Sequence, residues 1–219
     1  MSIIDVLIGS LAPYDCLGCQ VEGALLCRAC IQKLTEVEEL CYRCQRVVPG
    51  GYTCLNCPAL LYRVRVSTAY AGTSKMLIWQ LKLNGTQSAA RIMARRMVKL
   101  LENDGQALIV PVPTATSRIR QRGYDQARLL ARAISRQSRL EYVTCLVRSG
   151  QTHQHGAPRR QRLQQLENSF RVKKPRQIKN ARIILVDDVV TTGATLEAAA
   201  NALKQVGASR IEALVFARP

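Results

Sequence analysis

Several features that assign proteins to broad classes are missing from this sequence of 219 residues. No run of about 18 apolar residues occurs, so we expect no insertion into a membrane. The apolar stretch at residues 1–11 is interrupted by Asp5 and has no basic residue before it, which predicts a short amphipathic helix and not a signal peptide. These absences favour a cytoplasmic protein with one α/β domain and room for a small additional module.

Aromatic and acidic side chains are also scarce. Aromatic residues make up 5% of the chain, and 15 Asp and Glu stand against 32 Lys and Arg, for a net charge of +17. Residues 117–182 alone contain 17 basic and three acidic residues. Such a segment attracts the phosphates of a small ligand or of single-stranded DNA, although a domain that is simply basic and soluble would look the same. With few aromatics for base stacking, DNA would be bound through its phosphates, and its affinity would fall steeply with salt.

Cysteine is abundant and regularly spaced. Eight of the nine cysteines form four Cys-x-x-Cys pairs, which are Cys16 and Cys19, Cys27 and Cys30, Cys41 and Cys44, and Cys54 and Cys57. Two intervening residues allow both thiolates of a pair to bind one metal ion, so two pairs complete one tetrahedral site. The pattern predicts two structural Zn²⁺ ions in an N-terminal module at residues 1–62. Because residues 17–62 are too few and too polar for a core of their own, metal would supply much of the folding energy.

The sequence leaves the connectivity of these pairs open. Joining consecutive pairs closes the shortest loops and costs the least chain entropy, whereas a cross-braced arrangement is also compatible with the spacing. A redox dithiol would need only one pair, and an iron–sulfur cluster is an alternative occupant. Cys145, the ninth cysteine, lies in an apolar run, and we expect its thiol to be buried.

Beyond Pro58 the hydrophobic pattern alternates between strands and helices. Strands are predicted at residues 62–70, 107–112, 141–148, 181–187 and 209–217, and helices at residues 75–82, 88–101, 125–136 and 193–206. This order predicts an α/β domain over residues 63–219, built as a parallel sheet flanked by helices. Gly207 stands where the last helix should end. The polar stretch at 149–168 has the length of a lid.

The strongest functional motif surrounds the carboxyl end of the strand at 181–187. Two acids end this strand and five residues open the following helix, namely Asp187, Asp188, Thr191, Thr192, Gly193, Ala194 and Thr195. Open α/β sheets bind ligands at such strand ends, where hydroxyls, backbone N–H groups and a helix N-terminus can hold a phosphate. The carboxylates can accept hydrogen bonds from ribose hydroxyls and hold Mg²⁺ through its water shell. One threonine would serve as an ordinary helix cap, but three exceed that need.

The order of an apolar strand, two acids and Thr-Thr-Gly-x-Thr resembles the phosphoribosyl pyrophosphate (PRPP) signature of type I phosphoribosyltransferases. It differs from a Walker loop and from a dinucleotide-binding glycine motif. The four cysteine pairs, Val110-Pro-Val-Pro113, Arg122-Gly-Tyr-Asp-Gln126 and Thr152-His-Gln154 extend the resemblance over nearly the whole chain. Together they resemble the ComF/GntX family of competence-associated proteins. That resemblance implies a type I phosphoribosyltransferase fold behind a zinc module, a link to DNA uptake in natural transformation, and a partner in the competence machinery.

Basic residues near the motif suit the rest of the ligand. Arg118 and Arg122 follow the strand at 107–112, and their planar guanidinium groups can bind pyrophosphate bidentately. The resemblance implies that Lys82 also faces the site, whereas its helical position is equally consistent with a solvated lysine. His153 and His155 fit a solvated loop better than a catalytic base, so no general base is assigned.

Three functional hypotheses follow from these features. An enzyme would displace Mg-pyrophosphate from C1 of the ribose with a nitrogen nucleophile, through an oxocarbenium-like transition state that depends on positioning and electrostatics. A sensor would bind PRPP without turnover. A nucleic-acid factor would bind single-stranded DNA through residues 117–182. The sequence does not identify the acceptor of the ribose 5-phosphate.

Overall fold

A computed structural model describes residues 14–101, 105–148 and 169–219. Its main sheet has four parallel strands in the order β1-β6-β5-β2, with a separate antiparallel pair of strands, β3 and β4. The strands are Arg63–Ala69 (β1), Leu108–Pro111 (β2), Leu146–Arg148 (β3), Phe170–Val172 (β4), Arg182–Val189 (β5) and Arg210–Arg218 (β6). No helix within the described ranges is long and apolar enough to cross a membrane.

Helices cover both faces of the main sheet, which confirms the predicted α/β architecture. They are Arg28–Gln32 (α1), Gly72–Asn84 (α2), Gln87–Val98 (α3), Thr116–Arg122 (α4), Gln126–Ser138 (α5) and Ala194–Gln205 (α6), with 3₁₀ turns at Pro49–Gly51 and Pro175–Gln177. The central strand β5 directs Ile184 and Val186 into one apolar core and Ile183 and Leu185 into the other. Burial on both faces explains its continuous apolar sequence.

Local sequence sets the ends of the helices next to the site. Asp125 starts α5, because its Oδ1 accepts hydrogen bonds from the backbone N–H groups of Ala127, at 3.0 Å, and Arg128, at 3.3 Å. Gly123 ends α4 with a φ of +79°, a conformation that favours glycine. Gly207, predicted at the end of α6, has a φ of +89°.

The strand predicted at residues 141–148 is divided between two sheets. Tyr142 forms a parallel bridge with Ile109 beside β2, and the chain then leaves the main sheet before it forms β3. The helix α4 was not predicted, because a seven-residue segment with Ile119 as its one apolar residue shows no hydrophobic periodicity. The predictions at residues 1–11 and 149–168, including His153 and His155, lie outside the described residues.

The cysteine-rich segment shares both apolar cores of the sheet. Leu25, Leu26 and Leu34 pack into the core on the α3 side, and Tyr42 and Leu61 pack into the core on the α6 side. The segment therefore gains stability from packing on the sheet as well as from any metal that it binds. The division between residues 62 and 63 stays a prediction.

Charged side chains are buried at the amino end of the sheet, opposite the strand ends that carry the acid pair. Glu212 of β6 is 2% exposed and lies among four guanidinium groups. Arg65 donates to its Oε2, the Nε of Arg210 lies 2.7 Å from its Oε1, and Arg63 and Arg182 lie within 3.7 Å. One buried carboxylate thus compensates much of the positive charge that β1, β5 and β6 bring together.

Candidate functional site

The two acids of the predicted motif lie at the carboxyl end of β5, in the middle of the main sheet. The backbone N–H of Asp188 donates to Oδ1 of Asp187 at 2.9 Å, and the Nζ of Lys82 on α2 lies 3.1 Å from Oδ2 of Asp188. Burial, followed by the neighbouring charge of Asp188, raises the pKa of Asp187 to about 8. The two carboxylates therefore differ: Asp188 is paired with an ammonium group, whereas Asp187 faces a like charge. Lys82 therefore faces the acid pair, as the family resemblance implied.

The predicted phosphate loop connects β5 to α6. Thr191 and Thr192 are exposed, and Oγ1 of Thr192 accepts a hydrogen bond from the backbone N–H of Ala194 at 3.4 Å. Gly193 has a φ of +76°, and its carbonyl accepts the first helical hydrogen bond of α6 from the N–H of Glu197, at 2.9 Å. The loop thus presents two hydroxyls beside the open N-terminus of a helix, which is a geometry suited to an anion.

The neighbouring strand β2 brings a second loop to the same edge of the sheet. The backbone N–H of Val112 donates to the carbonyl of Val186 at 3.0 Å, so the exit from β2 lies beside the exit from β5. Thr114 then donates from Oγ1 to Oδ1 of Asp125 at 3.0 Å. Because Asp125 also caps α5, this bond fixes the loop after β2 to the start of that helix.

Two arginines share the electrostatic environment of the acid pair. Burial, followed by the positive charge of Arg118, lowers the pKa of Arg148, and the carboxylate of Asp187 opposes that shift. Arg148 ends β3, and its Cζ lies 5.4 Å from the centre of the Phe170 ring. Arg148 thus lies within electrostatic range of both Asp187 and Arg118.

Arg122 occupies a different position from Arg118. Its Nη1 donates to Oε1 of Gln126 at 3.3 Å, which holds it on the turn between α4 and α5. Within the described ranges, no ion pair joins it to either acid of the motif. A role for Arg122 in binding pyrophosphate stays a prediction.

Tyr124 joins this turn to the helix that carries Lys82. Its hydroxyl donates to the carbonyl of Leu81 at 2.9 Å and accepts from the backbone N–H of Gly85 at 2.7 Å. A Cβ on Gly85 would lie 2.8 Å from the tyrosine ring, so glycine is needed there for the close approach as well as for its positive φ. The Gly-Tyr-Asp segment therefore orients both α2 and α5 around the site.

The eight paired cysteines form two compact groups. Cys16, Cys19, Cys27 and Cys30 make the first cysteine cluster, and Cys41, Cys44, Cys54 and Cys57 make the second; within each, all four sulfur atoms lie within 4.8 Å of one another. This grouping confirms consecutive pairing over the cross-braced alternative. Cys145 is fully buried, as predicted, and burial raises the pKa of its thiol to about 11.

The geometry of both clusters fits a single tetrahedral metal ion. Bonds of about 2.3 Å from zinc to sulfur place the sulfurs roughly 3.8 Å apart; the Sγ atoms of Cys19 and Cys27 are 3.8 Å apart, and those of Cys44 and Cys54 are 3.6 Å apart. Iron–sulfur clusters divide their thiolates among several irons and hold them farther apart. Burial opposes ionisation of Cys16, but the backbone N–H groups of Cys27, Cys19 and Gly18 outweigh it and lower the pKa to about 6. Each cluster could therefore hold one Zn²⁺.

Comparison with known proteins agrees with this architecture. The family of the phosphoribosyl transferase domain matches residues 85–219. The chain is 30% identical over 226 residues to the DNA utilization protein YhgH of Escherichia coli (strain K12), covering 94% of this chain and 97% of that protein. Competence protein F of Haemophilus influenzae and competence protein ComFC of Bacillus subtilis are each 27% identical, over 93% and 83% of this chain and 90% and 79% of their own lengths. The chain belongs to the ComF family.

ComF membership confirms the resemblance drawn from the acid pair and the cysteine spacing. Among solved structures, a glutamine PRPP amidotransferase from B. subtilis aligns with a TM-score of 0.42 and 16% identity over 57% of this chain and 26% of that chain. That likeness is too weak to indicate activity.

Two residues of the site were not predicted from the sequence. Arg148 was treated only as the end of a strand, although an arginine at a strand end in a basic segment is a recognisable signal for an anion site. Asp125 was treated as the start of a helix, whereas its buried carboxylate also holds Thr114 and contributes to the raised pKa of Asp187.

Proposed function

We propose that this ComF-family chain binds PRPP and transfers its ribose 5-phosphate to a nitrogen acceptor with release of pyrophosphate. Asp187 and Asp188 would accept hydrogen bonds from the ribose hydroxyls, and the loop at 191–195 would hold the 5′-phosphate. Arg118 and Arg148 would face the pyrophosphate. The observation that supports this most is the convergence of acids, a phosphate-type loop and arginines at one end of the sheet.

The reaction breaks the bond from C1 to the pyrophosphate oxygen and forms a bond from C1 to nitrogen. Positive charge develops on the ribose ring while negative charge develops on the leaving oxygen, so the acids would stabilise the ring and the arginines the leaving pyrophosphate. Mg²⁺, when bound, would neutralise charge on the pyrophosphate, and hard carboxylate oxygens such as those of Asp187 and Asp188 suit it. Lys82 keeps one of these carboxylates oriented.

Calorimetry with PRPP and Mg²⁺ tests the binding step. Replacing both acids (Asp187→Ala with Asp188→Ala) removes several charge-assisted hydrogen bonds, so we expect affinity to fall on the order of 100-fold or more. Glu141→Ala, which removes an exposed acid away from the loop, serves as the control and should bind as the wild type does. Absence of PRPP binding by the wild-type protein, or equal binding by all three proteins, would contradict the proposal.

A screen for acceptor-dependent release of pyrophosphate tests the transfer step. Release that requires both an added nitrogen base and the intact acid pair supports a phosphoribosyltransferase. Binding of PRPP without release across the screen supports the alternative that this chain is a PRPP sensor.

A second function, binding of single-stranded DNA, is supported by an arginine stripe on α5. Arg128, Arg132 and Arg136 are exposed at intervals of four residues and so follow one face of the helix for about 12 Å. The competence proteins among the relatives support a role of this chain in DNA uptake. The stripe would contact the phosphates of the strand through its guanidinium groups, of which that of Arg132 lies 5.5 Å from the centre of the Tyr142 ring.

The salt dependence of DNA affinity tests this second function. Changing the three arginines of the stripe to glutamine should weaken binding and reduce the slope of log K against log salt by about two, since each contact to a single strand contributes about 0.7. The charge-matched control, Arg28→Gln with Lys33→Gln and Arg46→Gln, alters exposed residues outside the basic segment at 117–182. An equal loss in both triple variants would point to net charge alone and would contradict a role of the stripe.

The two cysteine clusters complete the proposal as structural zinc sites. Metal analysis should give two zinc ions per chain, and replacing one ligand in either cluster should reduce the count to one. A count of one in the wild-type protein would contradict the assignment of one of the clusters.

A further inference from the structure

The segment between two cysteines of the second cluster reaches the helix that follows the phosphate loop. Tyr42 and Arg43 lie between Cys41 and Cys44, and we call these two residues the knuckle. The hydroxyl of Tyr42 donates to Oε1 of Glu197 at 2.6 Å, and Nη1 of Arg43 lies 3.0 Å from Oε2 of the same carboxylate. Both oxygens of Glu197 are therefore engaged by the knuckle, and Glu197 lies in the first turn of α6.

The ring of Tyr42 also lies against the loop itself. Tyr42 is 2% exposed, and a Cβ added to Gly193 would lie 2.8 Å from its Cδ2. Glycine at position 193 is therefore needed for the approach of this ring as well as for its positive φ.

The knuckle is in turn held by the cysteine cluster. Backbone N–H groups, including that of Arg43, donate to the sulfur of Cys41. Arg43 also donates from Nε and Nη2 to the carbonyl of Pro58, at 3.1 and 2.8 Å, directly after Cys57. Ligation of one metal ion by these cysteines would fix the backbone on both sides of the knuckle.

The first cysteine cluster has no such connection. Its segment packs on α3, where Arg96 donates from Nη2 to the carbonyl of Leu34 at 3.0 Å and from Nη1 to that of Ile31 at 3.3 Å. Within the part of the chain that the structure describes, no hydrogen bond or ion pair joins the first cluster to the loop at 190–195. The two clusters, though alike in ligands, therefore differ in what they support.

From these contacts we infer that Tyr42 and Arg43 are positioning residues for the 5′-phosphate loop, so that metal occupancy of the second cluster sets the affinity for the phosphate end of the ligand. The inference rests on the proposed PRPP site and adds a control element to it. Loss of the metal would release the knuckle, free the first turn of α6 and disorder the backbone N–H groups that the loop presents to phosphate.

Separate calorimetry with ribose 5-phosphate and with inorganic pyrophosphate plus Mg²⁺, on the full metal-loaded chain, tests the inference. Tyr42→Phe keeps the ring on Gly193 but removes one hydrogen bond to a charged acceptor, which predicts about fivefold weaker binding of ribose 5-phosphate. Adding Arg43→Gln should increase the loss to about tenfold or more. Pyrophosphate affinity should change less than about twofold, because that ligand lies on the side of Arg118 and Arg148. Arg28→Gln, an exposed arginine between Cys27 and Cys30 of the first cluster, is the matched control.

Zinc release provides a second readout that does not depend on turnover. Because the coupling between two binding equilibria is reciprocal, ribose 5-phosphate should increase the concentration of chelator needed to remove one zinc ion at equilibrium and leave the other zinc ion unchanged. The double knuckle variant should still contain two zinc ions but lose this protection.

The outcomes separate the inference from the proposed function. If the wild-type protein binds ribose 5-phosphate and both knuckle variants bind it equally well, the knuckle has no positioning role and the PRPP site stands. A parallel loss of both ligands together with a lower melting temperature would show a purely structural role and would also overturn the inference. If the wild-type protein binds neither PRPP nor ribose 5-phosphate, the proposed site itself is wrong.

Discussion

From the acid pair at the end of β5 we expect that a single substitution can both stabilise the protein and remove PRPP binding. Replacing Asp187 with asparagine keeps the shape of the side chain and the oxygen that accepts from the N–H of Asp188. It removes only the charge that burial and Asp188 make unfavourable. We therefore expect Asp187→Asn to melt at a higher temperature than the wild type at pH 8 without ligand, and to lose PRPP binding.

The size of this effect follows from the raised pKa. A carboxyl group whose pKa is about 8 in the folded protein, against an ordinary value of 3.8, favours folding when it is protonated. This contribution is lost as the pH rises from about 4 to about 8. A pKa difference of one unit between the folded and unfolded states corresponds to about 1.4 kcal/mol. Since 1 kcal/mol moves the melting temperature of a protein of this size by about 2–4 °C, even one unit would be measurable.

Thermal unfolding of metal-loaded protein at pH 5.5 and pH 8, without Mg²⁺ or chelator, provides the assay. The difference between variant and wild type should be clearly smaller at pH 5.5 than at pH 8. Asp188→Asn is the matched control: it also removes the like charge, but it breaks the ion pair with Lys82, so it should stabilise the protein less than Asp187→Asn does. If Asp187→Asn melts at the same temperature as the wild type, or lower, at pH 8, the reasoning about like charges in this pair is refuted.

Three further predictions concern parts of the fold around the site. Tyr124→Phe should reduce stability by about 1–3 kcal/mol, because the buried N–H of Gly85 and the carbonyl of Leu81 lose their common partner; denaturant unfolding measures this, and no change would contradict the bridging role. Glu212→Gln should lower the free energy of unfolding by about 3–5 kcal/mol, because buried guanidinium groups lose their counter-charge. A variant as stable as the wild type would show that solvent already screens these groups. Cys145 should resist alkylation at pH 8 in the folded protein, because burial raises the pKa of its thiol to about 11. It should react after denaturation, and mass spectrometry of the labelled peptide detects either result.

Local patterns in the sequence were sufficient to predict the elements that carry the site. The continuous apolar strand before Asp187 predicts burial in the centre of a parallel sheet, and that is where β5 lies. The cysteine spacing predicts two groups of four, and loop entropy favours the consecutive pairing that the structure shows. In both cases the determining information lies within about 15 consecutive residues.

Contacts between distant segments could not be predicted in this way. Tyr42 looks like an ordinary residue between two metal ligands, because its partner Glu197 lies 155 positions away in the sequence. The approach of Arg148 to Arg118 and Asp187 depends on how three elements meet at one sheet edge. The division of residues 141–148 between two sheets depends on where β2 ends, which the apolar run itself does not encode.

The strand order also has a consequence for synthesis of the chain. The strand β1 pairs with β6, and Arg63 lies opposite Glu212. The first strand therefore cannot pair until the last strand has been synthesised. About 150 further residues must be translated, which takes roughly 7–30 s at ordinary elongation rates. During that interval the sheet on which the cysteine-rich segment finally packs does not exist. Metal capture by the nascent cysteines would then be the earliest ordering event, and would protect reactive thiols until the final strand arrives.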